Sequence, residues 1–217
     1  MKTMTIDQVK DMQKAVSVTI IENRELLGEI DRKIGDGDHG EGMFVGFSAV
    51  EKMIDEHIHF NTIGEFYKDV GMALLSSMGG ASGVLFASIY ISLAEETKDS
   101  TVLDGEMIVA GYSQAVESIK KRGGAKAGDK TMVDSLEPAV LAMKEVIKNK
   151  DADIIDVLSS GTKAAQDGVL ATKNMISKYG RSKNLRERSI GHQDAGATSV
   201  ALIFDTMSRY VRGVNAS

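Results

Sequence analysis

The stretch TIDQVKDMQKAVSVTIIENRELLGEI, residues 5–30, decides the fold class that we predict for the chain. Its large apolar residues recur at steps of three and four, with one step of seven, so they line one face of a helix. Thr5, followed three residues later by Gln8, is typical of a capping box at a helix start. The stripe consists of Val9, Met12, Val16, Ile20, Leu27 and Ile30. The pattern predicts one helix along the whole stretch.

The same helical spacing recurs through the rest of the chain. Helices are predicted near 42–56, 62–77, 83–97, 105–121 and 132–149, with further apolar stripes at 155–169 and 197–211. Asp104 is a predicted N-cap, and so is Thr131, which has Asp134 three residues later. One proline and 22 glycines favour long helices joined by glycine-rich loops. We therefore predict an all-α fold of about eight helices, forming a single domain over residues 1–217.

Two features bear on strands and membranes. The segment GVLFASIYISL (83–93) has a composition that strands also use, but its length without turn residues favours a buried helix. No apolar run approaches the ~20 residues that cross a bilayer, and the first residues lack the apolar core of a signal peptide. We therefore expect a cytoplasmic protein without a membrane partner.

Composition narrows the function classes. A hydrophobic fraction of 42% and a charged fraction of 26% are typical of globular proteins, which excludes a wholly disordered chain. The absence of cysteine excludes disulfides, thiolate metal ligands and cysteine nucleophiles, and it suits a reducing compartment. A net charge of −5 disfavours a general nucleic-acid-binding protein.

The segment DRKIGDGDHGEG (31–42) places three aspartates on a short glycine-rich turn. Close carboxylates repel one another, a divalent cation removes that repulsion, and oxygen ligands of this kind suit Mg²⁺. The segment also matches G-x-G-x-x-G, but it follows a helix rather than a strand, which disfavours a dinucleotide site. Counted from Asp36, Glu41 replaces the glycine of an EF-hand loop. A solvated acidic turn is the alternative.

Two further glycine-rich segments could face an anion. SSMGGASG (76–83) exposes backbone N–H groups just before a helix, as phosphate sites do, although a close helix–helix turn would use the same residues. KRGGAKAGDKTMVD (121–134) resembles a P-loop, but Asp129 separates Gly128 from Lys130 and no strand precedes it. Its basic residues suit an anion or a lid over a nucleotide, and the alternative is an ordinary surface loop.

A basic segment lies before the last helix. Residues 178–188 carry five cations and one acid, and glycines and a helix start follow at once, which favours phosphate contact over a merely solvated face. His39 and His192 lie inside glycine-rich segments and are candidates for ligand contact, whereas His57 and His59 are predicted surface residues. No Ser-His-Asp order or His-x-x-x-His spacing supports a hydrolase or a zinc protease.

Together these segments resemble the nucleotide-binding subunit of dihydroxyacetone kinase, called DhaL. The matching segments are DxxxxDGDHG (31–40), SSMGGASG (76–83), GDKTMVD (128–134) and GRSKNLRERSIGHQDAGATS (180–199). They match in order and spacing over nearly the whole chain. The resemblance implies phosphotransferase activity and a closed barrel of eight antiparallel amphipathic helices, with the nucleotide held by the interhelical loops at one end.

The resemblance also implies roles for individual residues. Asp31, Asp36 and Asp38 would bind two Mg²⁺ ions that bridge the phosphates of ADP or ATP, and these aspartates together with Arg181 would be the catalytic residues. The implied nucleotide contacts are His39, Gly40, Glu41, Gly42, Ala81, Ser82, Gly124, Met132, Arg181, Asp194, Ala195 and Gly196. A free-standing subunit resembles the bacterial form, in which a separate subunit binds dihydroxyacetone and a phosphotransferase-system subunit rephosphorylates the bound ADP. A homodimer is left open.

The chain departs from the family pattern at three points. Family members usually read DHG-x-N-M, where this chain has Gly42, and they usually have proline at Ala195. The usual GRASYLGERS is GRSKNLRERS here, which leaves the sugar and the partner open. A triose or tetrulose kinase subunit and an ADP–Mg²⁺ regulatory module that signals to a transcription factor are the alternatives. No residue is an obvious base for a substrate hydroxyl, so a partner subunit is expected to supply it.

Overall fold

A computed structural model describes residues 1–56 and 59–216, for residue 216 the backbone alone. Within them, the α-helices are α1 (Ile6–Glu22), α2 (Arg24–Arg32), α3 (His39–Glu56), α4 (Ile63–Ser77), α5 (Gly80–Glu96), α6 (Gly105–Gly123), α7 (Val133–Val146), α8 (Ile154–Thr172) and α9 (Ala195–Ala216). A 3-10 helix spans Arg181–Ser189. The all-α class is confirmed. His59 is exposed as predicted, and His57 lies outside the described residues.

The prediction of one helix over residues 5–30 is wrong, because Asn23 divides it into α1 and α2. The Asn23 backbone leaves the helical region at φ −92°, ψ 13°, and its Nδ2 donates to the Thr19 carbonyl at 2.8 Å. The Asn23 N–H also donates to this carbonyl at 3.1 Å, so the short amide adds a local side-chain hydrogen bond at the point where α1 ends. The apolar stripe continues across the break, so both helices still bury one face.

The predicted helix starts are confirmed at two of three places. Thr5 and Gln8 form the full capping box of α1, and the Asp104 side chain accepts from the Met107 N–H at the start of α6. At the third, α7 begins at Val133 with Met132 rather than Thr131 at the N-cap position, but the predicted pair forms in part: the Asp134 carboxylate accepts from the Thr131 N–H at 2.9 Å, and the Thr131 hydroxyl accepts from the Val133 N–H at 3.2 Å. The boundaries of other helices shift by a few residues, and α3 begins already at His39.

Sequence patterning did not predict a two-stranded antiparallel sheet formed by β1 (Thr3–Thr5) and β2 (Val102–Asp104). Met4 lies opposite Leu103, and both side chains are fully buried. Each strand leads directly into a helix, β1 into α1 and β2 into α6. The sheet therefore joins the starts of α1 and α6, which lie far apart along the chain.

Helix contacts follow a closed cycle. Along the chain, α3 to α9 each contact the next helix, α9 contacts α1, and α1 contacts α3, while α2 packs against α3 and α9. One cluster of buried apolar side chains joins these helices, and α5 is buried along most of its length, as predicted. This order of contacts is the one that a closed eight-helix barrel requires, and the barrel itself stays a prediction.

Close packing brings α7 against α8. A Cβ atom added to Gly168 on α8 would lie 2.2 Å from the Asp134 carbonyl oxygen on α7. Only glycine permits this approach of two helix backbones. The contact places the start of α7, and the loop before it, beside the end of α8.

No helix among residues 1–56 and 59–216 is long and apolar enough to cross a membrane.

Candidate functional site

Three aspartates converge at the junction of α2 and α3. Oxygen atoms from the carboxylates of Asp31, Asp36 and Asp38 lie within 4.8 Å of one another. Asp31 belongs to the last turn of α2, and its Oδ2 accepts hydrogen bonds from the backbone N–H groups of Gly37 at 2.8 Å and His39 at 3.4 Å. One aspartate is therefore fixed by the turn, while the other two are exposed at its surface.

Glycines make this turn sterically feasible. A Cβ atom on Gly35 would lie 2.3 Å from Asp31 Oδ1, and one on Gly40 would lie 2.1 Å from the Arg24 carbonyl oxygen. Gly37 has φ +82°, a left-handed conformation that glycine adopts without steric cost. The glycine spacing that imitates a dinucleotide fingerprint thus serves a compact carboxylate turn.

The electrostatics of the cluster favour a bound cation. Burial raises the pKa of the Asp38 carboxyl, and repulsion from Asp36 and Asp31 raises it further. Arg181 Nε lies 2.8 Å from Asp36 Oδ2 and partly offsets this repulsion. Three oxygen donors of net negative charge, two of them open to solvent, fit a hard divalent cation such as Mg²⁺. The predicted metal aspartates are therefore together, and Arg181 is beside them.

His39 lies at the first position of α3, behind the aspartates. Its Nε2 is 2.8 Å from the Ser199 hydroxyl on α9, and its ring centroid is 6.3 Å from that of Phe86 on α5. Burial lowers the pKa of the His39 imidazole, so the ring is neutral at pH 7. One residue thus connects the starts of three helices. Ser199 was not predicted as part of the site.

The neighbours of His39 in α3 include Gly40, Glu41 and Gly42, which lie in its first turn rather than in a loop. The Glu41 carboxylate pairs with Arg24 at 2.5 Å. A Cβ atom on Gly42 would have no heavy atom within 4 Å. Packing therefore does not require glycine at position 42, and a larger side chain would project into open space there.

Helix α5 begins close to this group. Gly79 is its N-cap, and Gly80 has φ +69°. Because glycine carries no capping side chain, the first N–H groups of α5 are available to an anion. Ala81 and Ser82 occupy this first turn, and Ser82 lies one helical turn before Phe86. The ring contact of Phe86 with His39 therefore brings the helix that follows the second predicted segment against the start of α3.

The third and fourth segments also meet. A Cβ atom on Gly196 would lie 3.4 Å from Met132 Cβ and 3.2 Å from Asp194 Oδ2, so these residues are neighbours. Asp194 caps α9 by accepting from the Ala197 N–H at 2.8 Å, and Ala195 begins that helix. Burial raises the pKa of the Asp194 carboxyl to about 7. The hydrogen bond from the Ala197 N–H has the opposite, smaller effect on this pKa.

The α6–α7 loop is joined to the basic segment. Gly124 ends α6 at φ +74°, and its carbonyl accepts from the Tyr179 hydroxyl at 2.7 Å. The basic segment is not the loop that the sequence suggested, because residues 181–189 form a 3-10 helix. Within the part of the chain that the structure describes, the candidate residues therefore lie on connected turns and helix starts. His192 is engaged through its backbone carbonyl.

Two features of this region were not predicted from the sequence, the contact of Asp134 with Gly128 and the burial of Lys130. Asp134, which was read as a capping-box partner, accepts from the N–H groups of Thr131 at 2.9 Å and Gly128 at 2.5 Å, and it thereby shapes the loop. Lys130 was counted among solvent-facing basic residues, but its side chain is buried against backbone carbonyls. Asp134 and Lys130 both lie within GDKTMVD, and their position in that segment is the feature of the sequence that indicates a role at the site.

A cleft of about 470 Å³ adjoins the aspartate turn. It is open to solvent and contains charges of both signs. Its lining residues are Glu22, Arg24, Glu25, Gly28, Arg32, Gly37 and Glu41.

The model of the DAK2 domain matches residues 33–209 of this chain, which is most of its length. The chain belongs to the DAK2 domain family. Among its relatives is the ADP-binding subunit DhaL of the PTS-dependent dihydroxyacetone kinase from Lactococcus lactis, which is 38% identical over 208 residues; the match covers 96% of this chain and 99% of the relative. The DhaL resemblance of the DAK2 chain is therefore confirmed.

Two longer proteins are also similar to this DAK2 chain. A D-erythrulose kinase from Mycolicibacterium smegmatis is 33% identical over 195 residues, 89% of this chain and 33% of the relative. The crystal structure of the C. freundii dihydroxyacetone kinase in complex with AMP-PNP and Mg²⁺ superposes with a TM-score of 0.72 at 25% identity, covering 93% of this chain and 33% of that one. The DAK2 chain spans about a third of each of these proteins.

Proposed function

We propose that this chain is the ADP-binding subunit of a dihydroxyacetone-type kinase. The observation that carries the proposal is the cluster of three carboxylates, whose oxygens lie within 4.8 Å of one another in a chain of the DAK2 family. The Lactococcus relative is named as such a subunit, and its match with this chain covers nearly its whole length. The reaction is transfer of a phosphoryl group to a short ketose that a partner subunit holds.

The proposed roles of the residues follow from their positions. Asp31, Asp36 and Asp38 would hold two Mg²⁺ ions, which would neutralise the charge of the phosphates. Arg181 already contacts Asp36, and its exposed guanidinium can transfer its hydrogen bonds to a phosphate when a cation takes the carboxylate. The N–H groups at the start of α5 would donate hydrogen bonds to a further phosphate oxygen.

The remaining candidates would contact the nucleoside side of the ligand. These are Gly40, Glu41 and Gly42 on α3, Gly124, Met132 and Asp194 on the joined loops, and Ala195 and Gly196 at the start of α9, whereas Ala81 and Ser82 would face the phosphate through the N–H groups at the start of α5. His39 is neutral and bonded to Ser199, so we assign it to shaping the site rather than to charge neutralisation. This arrangement positions and neutralises phosphates, which is most of what phosphoryl transfer requires of a protein.

A partner subunit completes the reaction in this proposal. A small ketose must be oriented tightly to react, and the turns described above present backbone groups and phosphate-binding charges rather than a pocket for a sugar. We therefore propose that a separate substrate-binding subunit holds the ketose and deprotonates its hydroxyl. The name of the Lactococcus relative supports a phosphotransferase-system subunit as the phosphoryl donor.

A kinase for a four-carbon ketose is the second candidate. The D-erythrulose kinase from M. smegmatis supports it, because this chain matches 33% of that longer protein. The chain spans about a third of that protein, so this candidate includes a substrate-binding region outside the matched third. ATP would then be the direct donor.

Reconstitution tests the proposal. The chain is combined with a substrate-binding dihydroxyacetone kinase subunit, Mg²⁺ and a panel of three- and four-carbon ketoses, with either ATP or a phosphorylated phosphotransferase-system subunit. Turnover should require both subunits, and the donor that supports it separates the two candidates. Asp36→Asn should be inactive, whereas Asp167→Asn, an exposed aspartate on α8, should be active. Turnover by the isolated chain at roughly 1–100 per second, as in complete kinases, would refute the division of labour.

A further inference from the structure

Lys130 is a buried cation in the loop before α7. Its side chain is 1% exposed, and its Nζ donates to four backbone carbonyls. The Nζ–oxygen distances are 2.5 Å to His192, 2.6 Å to Ser189, 2.9 Å to Thr172 and 3.3 Å to Met175. An ammonium has three N–H donors, so the three shorter contacts use all of them and the fourth shares one.

The four carbonyls come from different parts of one connection, the segment between α8 and α9. Thr172 ends α8, Met175 follows it, Ser189 ends the 3-10 helix, and His192 lies just before α9. This segment, residues 173–194, carries Arg181 and Asp194. A single side chain from another loop therefore ties both ends and the interior of the segment that supplies two candidate nucleotide contacts.

Burial of this cation requires compensation. An ammonium without water is strongly destabilising unless charged partners or dipoles surround it. Burial lowers the pKa of the Lys130 ammonium, and attraction to the Asp194 carboxyl partly offsets this effect, while the four backbone carbonyls replace the hydrogen bonds of water. The Lys130 backbone is also left-handed at φ +60°, which is unfavourable for a residue with a Cβ atom. The fold thus retains two costly features at one residue, which indicates that its hydrogen bonds are valuable.

Other contacts join the same two loops at the surface. Lys178 pairs with the buried Asp129 carboxylate at 2.7 Å, and its N–H donates to the Asp129 carbonyl at 3.1 Å. Within the segment, the Gly191 N–H donates to the Lys173 carbonyl at 2.7 Å. These bonds hold the first part of the segment and its base, whereas Lys130 reaches Ser189 and His192, which lead into Asp194 and α9.

We propose that Lys130 is a positioning residue for the nucleotide: its ammonium holds residues 173–194 in the conformation that presents Arg181 and Asp194 to the ligand. This inference rests on the proposed nucleotide-binding function. The aspartate turn lies between α2 and α3. The four carbonyls to which the Lys130 ammonium donates all lie outside this turn. Loss of Lys130 should therefore weaken nucleotide binding without weakening binding of a divalent cation to the aspartates.

The test compares Lys130→Met, whose side chain is of similar length but has no N–H donors, with the control Lys163→Met. Lys163 is an exposed lysine on α8 that pairs with Asp167. Calorimetry should show affinity for ADP–Mg²⁺ about 10- to 100-fold weaker in Lys130→Met, the range expected for lost hydrogen bonds to a charged group. Mn²⁺ binding without nucleotide, followed by electron paramagnetic resonance, should not be weaker than in wild type. Lys163→Met should match wild type in both. Unchanged ADP affinity, or equal losses of ADP and Mn²⁺ affinity, would overturn the proposal.

Hydrogen exchange without ligand provides an arm that does not depend on nucleotide binding. Amides of residues 173–194 should exchange faster in Lys130→Met than in wild type, while those of α1 and α3 should not change. Unchanged exchange in the segment would overturn the proposal. If wild type binds no ADP–Mg²⁺, the proposed function fails, and the exchange result still decides whether Lys130 holds the segment.

A measurement on wild type covers the case in which Lys130→Met does not fold. An amine-specific acylating reagent should modify Lys130 much more slowly than Lys163, because the reaction requires the segment to open. ADP–Mg²⁺ should slow the modification of Lys130 further and leave Lys163 unchanged. Equal rates for the two lysines, or no effect of ADP–Mg²⁺ on Lys130, would overturn the proposal.

Discussion

Arg186 has a backbone conformation that glycine adopts freely and arginine does not. Its φ of 50° and ψ of −125° interrupt the 3-10 helix, and its carbonyl accepts from the Ser189 hydroxyl at 2.6 Å. A residue held in so sparsely populated a region costs about 1–3 kcal/mol. Glycine removes this strain but adds about 0.5–1 kcal/mol of backbone entropy to the unfolded chain. Arg186→Gly should therefore raise the free energy of unfolding by up to about 2.5 kcal/mol.

Urea unfolding followed by circular dichroism measures this change, with hydrogen exchange of residues 177–190 as the local readout. Lys183→Gly is the matched control, because Lys183 is exposed in the same 3-10 helix and Arg186 is the residue at which that helix departs from helical geometry. The control should lose up to about 1 kcal/mol, the ordinary cost of glycine. If Arg186→Gly were destabilised as much as Lys183→Gly, the strain argument would be refuted.

Three further predictions concern the site. Asp36→Asn should abolish transfer in the reconstituted kinase but keep the helical circular dichroism spectrum, because it removes a metal-binding charge from an exposed turn and no core side chain; retained activity would place the metal elsewhere. Arg181→Ala should weaken ADP binding measured by calorimetry far more than Lys183→Ala, since Arg181 already contacts the aspartates; equal losses would indicate diffuse charge alone. Burial raises the pKa of Asp194 to about 7, so the folded state holds its proton between the unfolded value near 4 and 7, and the free energy of unfolding should fall as pH rises through this range; Asp194→Asn should lack this contribution in urea titrations at several pH values, and an unchanged pH dependence would contradict the assignment.

The sequence predicted features that depend on neighbours along the chain. The apolar stripe of α1, its capping box and the three aspartates of one turn are all local patterns, and the structure confirms that they lie where those patterns indicate. The break at Asn23 was missed because the apolar face continues through it. At Asn23 the backbone leaves helical geometry while its N–H and its side-chain amide both donate to the Thr19 carbonyl.

The features that sequence reasoning missed depend on distant contacts. The pairing of Met4 with Leu103 joins strands of three residues each, which are too short to show alternation. The contact of His39 with Ser199 requires the start of α3 to meet α9, and no spacing along the chain encodes that meeting. Lys130 looked like one more cation of a basic loop, because burial of a charge is decided by the carbonyls that surround it.

The most direct test of the account is calorimetric titration of ADP into the purified chain, with Mg²⁺ present and with a chelator in its place. The carboxylates of Asp31, Asp36 and Asp38 would face phosphates of the same sign without a cation, so measurable binding should require Mg²⁺. Asp36→Asn should bind weakly in both conditions. Equal affinity for ADP with and without the divalent cation would contradict the metal site and, with it, the proposed function.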